Sequence, residues 1–205
     1  MSTLTQFQAG KTLRSQAFTG SGTFTPSAAL LGTGGWVKVV CVGGGGGGGG
    51  RAAAGTPGAG GGGLVRTGVF AVAGNVTVTI GAGGAGGTND QAGSNGGTTS
   101  FGSHLSATGG LGGAHVEGVQ SIGGASEYPS ANVGGGGAGN TNTGSIGGPG
   151  VYVSLSNPLG PYGKGGNGET STINGVANTG GGGSGGANVT GGTGGSGYCY
   201  VEWFE

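Results

Sequence analysis

The chain has 205 residues, 64 of them glycine, with six Lys or Arg against six Asp or Glu and a formal net charge of zero. That length suits one domain with at most a short appendage. The basic residues (Lys11, Arg14, Lys38, Arg51, Arg66 and Lys164) are scattered, which argues against nucleic acid as a partner, and no run of about 18 apolar residues is present to span a membrane.

Residues 1–17 hold few glycines and read as a docking segment, with Phe7, Leu13 and Phe18 as spaced apolar points; an inert, frayed terminus is the alternative. Met1 to Gly10 carries no basic-then-apolar signal, so synthesis in a cytosol without export is expected. Residues 18–205 read as one glycine-rich β domain. Its first strand runs from Phe18 and stops at Pro26. The stretch Trp36-Val37-Lys38-Val39-Val40-Cys41-Val42 is strongly β-forming and apolar on nearly both faces, which predicts a central strand. Eight consecutive glycines, Gly43 to Gly50, follow it directly.

Leu64 to Ala73 and Val76 to Ile80 are expected to be strands joined as a hairpin by Gly74-Asn75. Thr98 to Phe101 and His104 to Thr108 flank Gly102-Ser103 as a second hairpin. The chain closes on an aromatic strand, Tyr198 to Phe204, whose expected partner is 36–42. No useful helical periodicity is visible, and the glycine segments recur at irregular spacings. The fold class is mainly β and irregular: short strands combined with packed glycine-rich segments, with essentially no α-helix.

Glycine near one third of the chain does not mean collagen, because the glycines come in blocks and only six prolines occur. Ordering glycine costs roughly 0.5–1 kcal/mol per residue against alanine. One arrangement that offsets this is the polyproline-II helix, in which chains without Cβ atoms lie side by side and hydrogen-bond through their backbones. Flexible spacers between β elements are the other reading.

Little points to catalysis. The strand and glycines of 36–50 satisfy part of a dinucleotide fingerprint, but Gly55 and Pro57 come too soon for its helix. His104 and His115, the only histidines, make no zinc spacing with Cys41 and Cys199. Neither a cofactor, nor a metal, nor an enzymatic activity is expected. The two cysteines read as buried thiols or as a disulfide between strands, a choice left to geometry. Two insertions rich in bulky residues interrupt the glycine pattern: 114–133, with His115, Glu117, Glu127 and Tyr128, and 151–162, with Tyr152, Asn157 and Tyr162. Tyrosine offers stiff contact area with a polar tip, which suits binding loops, although such residues also pack over edges.

Gly20-Ser21-Gly22-Thr23-Phe24-Thr25-Pro26, then 36–42 running into Gly43 to Gly50, resembles the glycine-rich domain of bacteriophage tail fibres. So do Thr98-Thr99-Ser100-Phe101-Gly102 with Leu105 to Gly110, and the ending Gly197 to Trp203. The resemblance spans about residues 18–204. It implies a virion tail protein that binds a bacterial surface receptor, a glycan or an outer-membrane protein, through loops between the glycine segments. It also implies contacts with other tail proteins through Phe7, Leu13 and Phe18, and it allows a homotrimer. Two other functions stand beside it: a structural tail or virion decoration that does not touch the host, and ice binding, which the irregular threonine spacing disfavours.

Overall fold

The computed structural model describes residues 10–50, 57–114, 168–169, 172–186 and 190–205. The fold is mainly β. Two four-stranded antiparallel sheets face each other at one end of the molecule. The first contains β1 (Leu13–Phe18), β3 (Trp36–Val42), β4 (Val65–Ala71) and β10 (Tyr198–Phe204), in the order β1-β10-β3-β4. The second contains β2 (Gly22–Phe24), β5 (Val76–Thr79), β6 (Thr99–Phe101) and β7 (Leu105–Ala107), in the order β2-β5-β6-β7.

Alternation along the strands builds the core between the sheets. Val37, Val39 and Cys41 from β3 and Cys199 and Val201 from β10 meet Phe24, Val76, Val78, Phe101 and Ala107 from the second sheet. The opposite face of β3 is apolar too. Val40 and Val42 are buried there with Val65, Tyr198 and Tyr200. That two-sided burial fits the interior place of β3, and its pairing with the last strand is as expected, with Val40 opposite Tyr200 and Val42 opposite Tyr198. Residues 13–17 of the opening segment supply all but the last residue of the edge strand β1 along β10, and that last residue, Phe18, is buried in the core.

One expected hairpin forms and the other does not. β6 and β7 pair around 102–104, where Gly102 takes φ +52°. His104 therefore lies in the turn and not in the strand, with its ring 5.5 Å from Phe70 and 6.0 Å from Phe101. Gly74-Asn75, by contrast, joins β4 of one sheet to β5 of the other. β4 pairs with β3, and β5 pairs with β2 and β6. The turn reverses the chain, but burial of Val76 and Val78 against the facing sheet decides the partner. A five-residue helix, α1 (Ala28–Gly32), also falls outside the sequence expectation. Ser27 caps it by accepting the Leu30 amide at 3.0 Å, and Leu30 is fully buried.

The strands run straight into the glycine segments. β3 continues as 43–50, β5 as 81–87 and β7 as 108–114, all heading away from the sandwich, while 58–64, 91–97 and 190–197 return to β4, β6 and β10. Segment 43–50 is the axis of this bundle. Its amides donate in threefold rotation. Gly43, Gly46 and Gly49 reach the carbonyls of Leu64, Gly61 and Gly58; Gly44, Gly47 and Gly50 reach Gly97, Ser94 and Gln91; Gly45 and Gly48 reach Gly195 and Gly192, all at 2.8–2.9 Å. A partner number falling by three for each rise of three is the signature of antiparallel helices with about three residues per turn, the polyproline-II geometry. At ~3.1 Å per residue the axis spans roughly 25 Å.

Its carbonyls accept from three parallel segments in the same rotation. Gly84 and Gly87 donate to Gly45 and Gly48, Gly110 and Gly113 to Gly44 and Gly47, and Gly183 and Gly186 to Gly46 and Gly49. The surrounding segments bond to one another and close the ring: 58–64 to 108–114, then to 91–97, 81–87, 190–197, 180–186 and back to 58–64. One further segment, 172–176, packs outside the ring against 180–186 and 190–197 through Ser184 N–H to Ile173 and Gly175 N–H to Thr193.

A Cβ atom added to any of Gly43 to Gly49 would overlap a backbone carbonyl of a parallel neighbour, for example that of Ala85 at Gly47 or Leu111 at Gly46. Glycine is required here by close approach and not by a left-handed φ. Each hydrogen bond contributes about 0.5–1.5 kcal/mol net. That matches the ~0.5–1 kcal/mol penalty of ordering a glycine. Pairing of both backbone groups at every residue from Gly44 to Gly49 is therefore what makes so bare a segment stable.

Candidate functional site

The molecule has two distinct ends. At the sandwich end the described chain begins and finishes, and the two stretches are tied together. Thr12 and Glu205 exchange backbone hydrogen bonds of 2.6 and 3.0 Å. The Glu205 carboxylate accepts from the Ser27 hydroxyl, from the Trp203 indole at 3.1 Å and from Arg14 Nε at 3.0 Å. These donors, the Ser27 hydroxyl first, then Trp203 and Arg14, hold the carboxyl below its ordinary range.

The same end carries an apolar groove of about 470 Å³, lined by Leu13, Trp36, Val69, Trp203 and Phe204, with Lys11 among its lining residues. Trp36 and Val69 are 59% and 61% exposed. Lys38 Nζ donates to Glu202 Oε1 at 2.8 Å within the lining. Alternation along β3 puts Trp36 and Lys38 on the face opposite the core. The exposed ones on that face are what sequence reasoning passed over. Leu13, expected as an attachment point, lies in this groove. Phe18 does not, since it packs into the core, and Phe7 lies outside the described residues.

At the other end, outward segments give way to inward ones. Thr88-Asn89-Asp90-Gln91 is the tight connection between 81–87 and 91–97, with Asn89 and Asp90 at φ +49° and +60° and the Gln91 amide donating to Thr88 at 3.1 Å. Both residue types tolerate the left-handed region. Ala114 stands beside Gly49 at this end and Thr172 donates to the Thr190 carbonyl, so the two residues that flank 115–171 both stand far from the sandwich. The short parallel pair β8 (Gly168–Glu169) and β9 (Gly185–Gly186) lies along the same outward segment. His115, Glu117, Glu127, Tyr128, Tyr152, Asn157 and Tyr162 all belong to that stretch and lie outside the described residues.

Along the bundle surface the outward-facing positions come every third residue: Ala82, Ala85 and Thr88; Thr108 and Leu111; Thr190 and Thr193 are all exposed. This period of three was readable in the sequence within single glycine segments. The spacing between whole segments, which is irregular, hides it.

Among the described residues no group of three or more His, Cys, Asp or Glu is placed to hold a metal, and no helix is long and apolar enough to cross a membrane. Cys41 and Cys199 are free thiols in the core. Among curated proteins none matches this chain. The family model for a glycine-rich domain matches residues 18–204, nearly all of the sandwich and bundle. The chain belongs to this glycine-rich domain family.

Proposed function

We propose that this chain is a bacteriophage tail protein that attaches the particle to the bacterial surface, with the receptor contacted by loops at the far end of the glycine bundle. The supporting observation is the polarity of the molecule. The two described ends are clamped together at the sandwich, beside an apolar groove suited to attachment to other tail proteins, while Ala114 and Thr172, which flank 115–171, stand at the opposite end. A stiff spacer between an anchoring end and a variable end is what a reader of surface glycans or outer-membrane proteins needs. His115, Glu117, Glu127, Tyr128, Tyr152, Asn157 and Tyr162 supply the aromatic and polar contacts such a target takes.

The test replaces 114–133 and 151–162 together with the corresponding loops of a related phage, then measures adsorption to the two hosts. Redirected adsorption by normally assembled particles supports the reading. Unchanged adsorption with fragile particles in a deletion mutant would leave a structural decoration of the virion as the function.

A further inference from the structure

The hydrogen-bond phase of the first sheet fixes the relation between its two cysteines. Thr12 and Glu205 exchange both backbone bonds, so odd-numbered residues of β10 direct their N–H and C=O groups toward β1. Val72 N–H to Gly35 and Gly43 N–H to Leu64 set odd-numbered residues of β3 toward β4 in the same way. Cys41 and Cys199 are directly opposed across β3 and β10. Both are odd, so they form a non-hydrogen-bonded pair, the class whose Cα atoms are only about 4.5 Å apart. That separation lies within the ~4.4–6.8 Å a disulfide spans. Both side chains point into the core, and their Sγ atoms are 3.8 Å apart.

We propose that Cys41 and Cys199 are a disulfide-forming pair, oxidised by a low-molecular-weight disulfide while the chain folds, to give a covalent link between the two central strands of the first sheet. One cysteine thiolate attacks the small disulfide and releases one small thiol. The second cysteine attacks the protein sulfur of the mixed disulfide and releases the other. The protein loses two electrons and two protons, and the small disulfide becomes two thiols.

Timing follows from burial. Both residues are fully inaccessible in the folded protein, and the hydrogen bond from Cys41 together with burial pushes the Cys199 thiol far up. A thiolate is the attacking species, so the folded, reduced protein resists oxidant while the unfolded chain does not.

The experiment refolds the reduced, denatured protein in oxidised glutathione and compares it with folded, reduced protein in the same buffer. The expected product of refolding is a monomer lighter by two hydrogens, with a peptide linking Cys41 to Cys199 and a higher unfolding midpoint that reductant reverses. The folded sample should keep both thiols over the same time. Refolded native monomer with two alkylatable thiols, or carrying only glutathione adducts, overturns the proposal. Cys41→Ala and Cys199→Ala, each with one thiol left, should show neither the mass loss nor the reductant-sensitive midpoint; persistence of that sensitivity in either would also overturn it.

Discussion

In the sandwich, Phe24 is held by side chains. Its ring lies 5.7 Å from Phe101 and 5.3 Å from Trp203, and it is fully buried. In the bundle, Gly47 is also buried but has no side chain at all, and its neighbours are the backbones of Ser94, Gly113 and Ala85. The first region tolerates a change in side-chain shape at a cost set by the cavity it leaves. The second has no shape to spare, because its closest contacts are backbone atoms of hydrogen-bonded partners. The two regions should therefore respond in opposite ways to the smallest substitutions.

The largest effect is expected at the axis. Gly47→Ala adds one methyl group directly onto the Ala85 carbonyl, which cannot withdraw without breaking the bonds from Gly84 and Gly87. We expect its cost, measured by denaturant unfolding, to exceed that of Phe24→Ala, for which ~3–5 kcal/mol is usual. The reverse ranking would show that the bundle is a loose appendage of the sandwich. Amide exchange gives the same comparison without mutation. The amides of 44–49 should be as protected as those of β3, and free exchange there would break the comparison.

A smaller effect is expected at the clamp. The lowered folded-state value for Glu205 means that its contribution to stability is present above the ordinary carboxylate range and is lost as pH falls through the folded value. Glu205→Gln should lower the melting temperature modestly at neutral pH, with the difference from the parent protein shrinking on acidification. A difference that grows in acid would contradict this sign. The smallest effect should come from Ala85→Lys. That side chain faces solvent, so the change should stay within about 0.5 kcal/mol even though Ala85 lies next to the axis. Gly47→Ala and Ala85→Lys together sharpen the rule that only every third bundle position is free.

The sandwich was legible where burial spoke on both faces of a strand. Trp36 to Val42 is apolar all round apart from Lys38, which marks an interior strand, and the aromatic run at Tyr198 to Phe204 is its natural partner. Gly74-Asn75 misled because a turn dipeptide encodes a change of direction and not the sheet to which the chain goes next. The helix at Ala28–Gly32 is too short to show a period, although Ser27 before Ala-Ala-Leu-Leu is a usable cap signal. In the bundle, eight bare residues at Gly43 to Gly50 identify a segment with neighbours on every side, and Ala82 and Ala85 identify one with a free face. The attachment residues divided: Leu13 is available at the surface, whereas Phe18 serves the core. Nothing in an exposed Trp36 distinguishes it, as sequence, from the buried apolar residues four and six places on, Val40 and Val42.

The bonds that radiate from the axis lie across it, and the clamp between Thr12 and Glu205 sits at one extremity. Force applied at the opposite extremity would thus pass along the length of the rods and load these crosswise links in shear, many at once, with no frayed edge from which to peel them singly. Forced rupture is governed by the unfolding rate, so a protein of this build should hold under tension far longer than its modest side-chain content suggests.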